Sequence, residues 1–339
     1  MKSTWLQTNT LQRRATTIPG VAATAVVLTL TIPLWVPLTV VADAARMKFR
    51  CPTTRLLGFG VCWAWLETAG VSVAALLWLG RQRRNRRAHY TLQRWWSRNL
   101  LASLRWTCGV TVEARGVEAF DEGGALLFVR HASLADSLVS AYVATNLCGL
   151  QPRFVLKREL LVDPCLDVVG QRIPNYFLDR GTADSAGELA AVSELVADLG
   201  PRDLGIIFPE GTRANPRKRA AALAKIRERD NGRAERLVGL RHLLPPRPSG
   251  ALAMARGAPG ADVVLAWHIG FEGLDSFGGI LKALNRGIPP ILFTARRIHG
   301  RDVPRDNRFE AWLDEEWLRM DAEVATALGE RGRLEKSSG

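Results

Sequence analysis

Two short segments hold the residue types that move protons and grip anions: His131-Ala-Ser-Leu-Ala-Asp136 and, with its glutamate 79 residues after the histidine, Phe208-Pro-Glu-Gly-Thr-Arg213. In the first, an imidazole stands five positions before a carboxylate. Within one continuous helix, at about 100° per residue, those side chains would point roughly 140° apart. The apolar run Ala125–Val129 reads instead as a strand, and Ser133 followed three residues on by Asp136 is a capping-box pattern that begins a helix. His131 then falls in the turn between them, and its ring can fold back over the first helical turn. Asp136 can accept from one ring nitrogen and fix the tautomer, leaving the other to take a hydroxyl proton. Such a base contributes roughly 10²–10⁴ in rate. Taken alone, a His-x4-Asp spacing arises often by chance, with Asp136 no more than a helix cap.

The second segment narrows the choice. It follows the apolar run Leu204–Ile207 and so lies at the carboxyl end of a strand, where open α/β sheets bind their ligands. Pro209 fixes the turn, Gly211 allows close backbone approach, Glu210 can accept from a substrate hydroxyl, and Arg213 can fork onto phosphate oxygens. The two segments together describe a site that takes a proton from a hydroxyl while holding a phosphate.

The elements that must position them alternate. Val110–Ala114, Ala125–Val129, Phe154–Leu156, Tyr176–Leu178, Leu204–Phe208 and Val263–His268 read as strands. Helices fit Ser133–Asn146, Asp184–Leu199 and Arg217–Arg229, with an amphipathic C-terminal helix over Phe309–Leu328. The expected fold is α/β, a layered and largely buried sheet flanked by helices over residues 107–339. Between Arg213 and Arg241, ten basic residues face only three acidic ones, a solvated face or a contact for a membrane or an acidic carrier.

The first hundred residues differ in kind. They hold 14 Lys or Arg against Asp43 and Glu67, and therefore nearly all of the net +13; the remainder is 32 basic against 31 acidic. Ile18–Ala42 carries no charge and Leu56–Leu79 only Glu67, each about a bilayer's thickness of helix. Residues 1–80 thus read as a membrane hairpin of two apolar segments, 18–42 and 56–79. Pro19, Pro33 and Pro37, with the mid-segment glutamate, leave a re-entrant or interfacial arrangement open beside a spanning one. The first segment is too long for an ordinary signal-peptide core. Residues 81–106, with Leu92, Trp96, Leu100 and Leu104 at every fourth position, read as a basic amphipathic helix at a membrane surface or against a core. The seven arginines from Arg81 to Arg98 place the α/β region, residues 107–339, on the cytoplasmic side. Basic charge set beside apolar segments points to anionic lipid rather than nucleic acid. Five scattered cysteines suit reduced thiols, and the remaining histidines, 89, 242, 268 and 299, lack metal-ligand spacing; each reads as structural or exposed.

His131-x4-Asp136 with Phe208–Arg213 resembles the glycerolipid acyltransferase family typified by 1-acyl-glycerol-3-phosphate acyltransferases. The likeness covers roughly residues 109–270, and between the motifs Lys157-Arg-Glu-Leu160, Pro164, Gly170 and Phe177-Leu-Asp-Arg180 are similar to the family's intermediate block. Leu243-Leu-Pro-Pro-Arg-Pro-Ser-Gly250 is loosely similar to a fourth, proline-containing block. The resemblance implies a glycerol-3-phosphate acyltransferase-like fold and transfer of a fatty acyl group to a lysophospholipid hydroxyl. It assigns His131 as base, Asp136 as its partner, and Lys157, Arg180, Glu210, Gly211, Thr212 and Arg213 to the acceptor. It implies an acyl-CoA or acyl carrier protein thioester as donor, and no bound cofactor or metal. Arg130 stands where the family often has asparagine, and the intermediate block lacks the usual tryptophan. Those departures leave another lyso-lipid as acceptor; a non-catalytic lipid-binding role is a second alternative, against which the intact His131, Asp136, Glu210 and Arg213 count.

Overall fold

The computed structural model describes residues 9–133, 135–179, 185–272, 274 and 277–337. Seven strands form one sheet: β1 Val112–Arg115, β2 Ala125–Val129, β3 Gln151–Lys157, β4 Tyr176–Leu178, β5 Asp203–Ile207, β6 Asp262–Ile269 and β7 Ile291–Ile298. Their spatial order is β1-β7-β6-β2-β5-β3-β4, and every neighbouring pair is parallel except β6 and β7. All five residues of β2 are apolar and buried, the pattern of a parallel strand covered on both faces. Ala125, Leu127 and Val129 enter one core with Ile206, Val264 and Phe293. Leu126 and Phe128 enter the other with Leu265, Met254 and the fully buried Trp317.

The second core is roofed by α7 Ser185–Glu194, α9 Asn231–Leu237, α10 Pro248–Gly257 and the C-terminal α12 Phe309–Ser337, with α8 Pro216–Arg227 outside them. The first is closed by α5 Asp136–Tyr142, which widens into a π turn over Val143–Leu147, and by α11 Phe277–Arg286. α5 starts three residues later than the capping-box pattern suggests. Asp136 accepts the Ser133 N–H and the Ser133 hydroxyl accepts the Ala135 N–H while donating to Asp136 Oδ1, so cap-like bonds form over residues 133–136 and regular helix begins only at Asp136. β7, not among the strands expected above, carries Arg296 and Arg297 just before its last residue, Ile298. In the fold they pair with Glu316 and Asp262.

The first hundred residues make a helical layer. α1 Thr10–Leu30 and α2 Ile32–Ala45 meet at a bend of 72°, and α3 Pro52–Leu79 alone is a continuous helix long and apolar enough to cross a membrane among the described residues. α3 lies along the α/β body over most of its length. Near its start Arg55 donates to the Thr107 and Leu284 carbonyls; at its middle Glu67 accepts from Trp96 Nε1 and the Cys165 N–H, both at 2.9 Å. Towards its end Arg172 donates to the Ala74 carbonyl at 2.7 Å. Arg13 and Arg14 of α1 both reach the buried Asp167 carboxylate on α6 Pro164–Val168. α4 Arg86–Cys108 buries Leu92, Leu100 and Leu101 against this assembly and leaves Trp106 at 83% exposure.

Candidate functional site

β2 and β5 are adjacent and parallel with Phe128 opposite Ile207, so the residues three beyond each, His131 and Glu210, arrive at the same level above the sheet. The turns after the two strands are stitched together: the His131 N–H donates to Glu210 Oε1 at 2.8 Å, and the Ala214 N–H donates to the His131 carbonyl at 2.8 Å. Gly211 takes φ +69°, the left-handed conformation that glycine adopts without cost, which closes this turn.

The His131 ring folds back as its place outside α5 requires. Nδ1 lies 2.7 Å from Asp136 Oδ2, and the ring rests on Phe208 with centroids 5.1 Å apart. Asp136 is fully buried and further held by the Ala132 and Ser133 N–H groups. Burial opposes its ionisation, yet the neighbouring His268 imidazole and the hydrogen bond from His131 outweigh that and hold the carboxyl well below its ordinary range. An ionised Asp136 keeps the proton on Nδ1 and leaves Nε2 as the basic nitrogen.

Two cavities meet at this point. The polar one, about 450 Å³, is lined by His131, Lys157, Gly211, Arg213 and Arg247, together with Ser249 and Gly250 at the start of α10. The N-terminus of α10 has no side-chain cap, so its N–H groups supply the positive end of a helix dipole to the same space. The apolar cavity, about 690 Å³, lies between the helical layer and the sheet and is lined by residues such as Leu56, Phe59, Leu92, Trp96, Ile280 and Leu284. Ser133, Ser137, Leu156 and Leu160 border both. A base in the polar chamber, which opens along Ser133, Ser137, Leu156 and Leu160 to the apolar one, suits an amphiphile with a polar head.

His131, Lys157, Gly211 and Arg213 line one cavity, and Asp136 stands behind His131. Glu210 is nearby but in another capacity. It is buried, and its oxygens accept the His131 and Leu244 N–H groups rather than facing a substrate hydroxyl. Burial pushes its carboxyl up to about 8 against the pull of those two hydrogen bonds. Thr212 does not line the cavity; its hydroxyl accepts from Lys218 Nζ at 3.1 Å. Arg180 lies outside the described residues.

Two participants were not expected. Arg247, in the proline-containing block, lines the polar cavity, and its N–H donates to the Pro209 carbonyl at 2.9 Å. That block is moored by Asp321, whose carboxylate accepts the N–H groups of Arg241, His242 and Leu243. The second is His268 on β6, fully buried with Nε2 3.2 Å from Asp136 Oδ1. Arg130, in the position before His131, is buried and donates to the His268 carbonyl, with Glu272 Oε1 3.5 Å away. The signal for His268 lay in the end of its strand, since β6 pairs with β2.

Residues 111–265 match the family model described as Acyltransferase. No curated protein matches the chain. Among solved structures, the chain is similar to the 1-acyl-sn-glycerophosphate (LPA) acyltransferase PlsC from Thermotoga maritima, at 15% identity and a TM-score of 0.48, over 77% of this chain and 95% of that one.

Proposed function

We propose that this chain, whose residues 111–265 match the Acyltransferase family model, moves a fatty acyl group from a thioester to the free glycerol hydroxyl of a lysophospholipid, with 1-acyl-glycerol-3-phosphate as the favoured acceptor. The observation that carries this reading is the position of His131, with its ring on Asp136, in a polar cavity that holds Lys157, Arg213 and Arg247 and shares Ser133 and Ser137 with an apolar one. His131 Nε2 takes the hydroxyl proton, and the oxygen attacks the thioester carbonyl. The carbon–oxygen bond forms, the carbon–sulfur bond breaks, and the leaving thiolate takes the proton back from His131. Lys157, Arg213, Arg247 and the α10 N-terminus hold the phosphate; Arg180 belongs with them by the family resemblance. The apolar cavity takes acyl chain. Holding both reactants in register contributes several kcal/mol to lowering the barrier.

Leu30, Leu34, Leu38, Phe49 and Trp78 are exposed on the helical layer, together with Trp106 on α4. We read that surface, residues 1–80 with the basic helix 81–106, as seated in one leaflet with residues 107–339 on the cytoplasmic side. An interfacial seat fits better than a span, because α3 is bonded to the α/β body from Arg55 to Ala74 and its midpoint therefore lies at the domain, not at a bilayer centre. A second acceptor class has its own support: Asp179 and Glu188 line the polar cavity beside the cations, a setting for a zwitterionic headgroup.

The test is acylation of a panel of lyso-lipids by purified protein, with labelled acyl-CoA and acyl carrier protein thioesters as donors. Lysophosphatidate should be the best acceptor, and His131→Ala should lower turnover roughly 10²–10⁴-fold while lipid binding is kept. A His131→Ala protein with near-wild-type turnover refutes the mechanism, and faster acylation of a zwitterionic lyso-lipid selects the second acceptor.

A further inference from the structure

Resting on the reading of His131 as the base, we infer that His268 is a second imidazole on the Asp136 carboxylate, a positioning residue that fixes the carboxylate and shares its charge with His131. β6 runs parallel to β2 with Val129 opposite Ala266, so His268, two residues on, arrives level with His131 on the other side of the same carboxylate. Its Nε2 stands 3.2 Å from Asp136 Oδ1 while His131 Nδ1 stands 2.7 Å from Oδ2. The approach of His268 is off the hydrogen-bond axis, so the contact is chiefly electrostatic. Phe271 braces the ring edge-on at 5.3 Å.

Lys157, Arg213 and Arg247 line the polar cavity with His131 and are the same in every variant compared below. From the end of β2, Arg130 donates to the His268 carbonyl and faces Glu272; from the turn after β5, Glu210 is bound to the His131 and Leu244 N–H groups. Asp136 is therefore the acidic group that His268 meets through its ring. A buried carboxylate facing a single imidazole favours the imidazolium strongly, and a base already protonated cannot act. The His268 ring, with Nε2 3.2 Å from Oδ1, draws on the charge of the same carboxylate. It weakens the hold of Asp136 on a proton at His131 without removing the hydrogen bond that sets the tautomer.

The experiment tracks the five histidines of the full-length protein by ¹⁵N NMR with labelled imidazoles, in wild type, His268→Leu and His268→Gln, alongside pH–rate profiles of acyl transfer. In His268→Leu the His131 midpoint should rise by about half a unit, and the acid limb of kcat should move with it, a roughly threefold loss below the midpoint, with KM for the acceptor little changed. His268→Gln, which keeps an N–H near the place of Nε2, should restore both. If His268→Leu does not fold, His268→Asn replaces it, since its shorter amide withdraws from Oδ1 and should show the same rise. A His131 midpoint that stays or falls in the Leu or Asn protein overturns the inference, as does a Gln protein no different from them. Absence of acyl transfer by wild type would overturn the proposed function instead, and the NMR midpoints would still decide the role of His268.

Discussion

Replacing Glu210 by Gln leaves the size of the side chain almost unchanged but turns one of its two acceptors into a donor. In the fold the two oxygens accept the His131 N–H at 2.8 Å and the Leu244 N–H at 3.0 Å, so the variant sets an NH₂ against one backbone N–H. Leaving a buried donor without an acceptor costs about 1–3 kcal/mol. The cost has a pH dependence that runs the other way. Burial raises the Glu210 carboxyl from its ordinary 4.5 to about 8, so between those values the folded chain keeps a proton that the unfolded chain releases. Its contribution to stability is fully present below 4.5 and lost as pH rises through 8. At about 1.4 kcal/mol for each pH unit between the two, the loss is on the order of 5 kcal/mol, and Gln has no such loss. Urea unfolding of both proteins in mild detergent from pH 5 to 9 reads the difference. His89 and His242, whose ring pKa values are lowered by burial, impose an opposite slope below 6.5, but both proteins share it and the difference cancels it. The variant should be the less stable at pH 5, approach wild type as the pH rises, and match or pass it by pH 9. A gap that stays constant or widens with pH would show that Glu210 is ionised in the fold and that its two hydrogen bonds outweigh burial.

Other substitutions probe separate parts of the site. Asp167→Ala leaves Arg13 buried without its carboxylate and frees Arg14, which should cost about 3–5 kcal/mol and expose the α1 region to trypsin under conditions where wild type resists; equal protease resistance would show that these ion pairs do not hold α1 in place. Arg247→Ala should raise KM for a phosphate-bearing acceptor roughly 10–100-fold, the equivalent of about 1.5–3 kcal/mol for a charged hydrogen bond, and leave a phosphate-free acceptor unaffected in a competition assay.

What the sequence made legible is what depends on near neighbours in the chain. β2 could be read from five apolar residues in a row, and with it the place of His131 in the next turn, although the helix behind starts at Asp136 and not at Ser133. The roles of Glu210 and His268 depend on which strands are neighbours and in what register. No local pattern states that β5 and β6 flank β2, yet that order brings residues 131, 210 and 268 to one level. Glu210 therefore looked like a ligand-facing acid when its oxygens serve two backbone N–H groups, one of them contributed from 34 residues away. Arg247 was hidden for the same reason, since only the mooring of its loop on Asp321 and Glu210 turns a proline-rich connection into a wall of the polar cavity.

The mid-segment glutamate resolves in the same terms. A lone carboxylate in the apolar stretch 56–79 is costly in lipid and argues against a simple span. In the fold Glu67 accepts from an α4 indole and an α6 backbone N–H, which ties α3 to the α/β body at the helix face that walls the apolar cavity through Trp63 and Gly70. A Cβ at Gly70 would stand 2.5 Å from Cys165 Sγ, so glycine there is what lets α3 approach closely enough for the Glu67 bonds to form. The helical layer is thus part of the α/β body's own architecture. The residues that make it a poor free-standing span are those that join it to the domain as one side of the chamber beside His131.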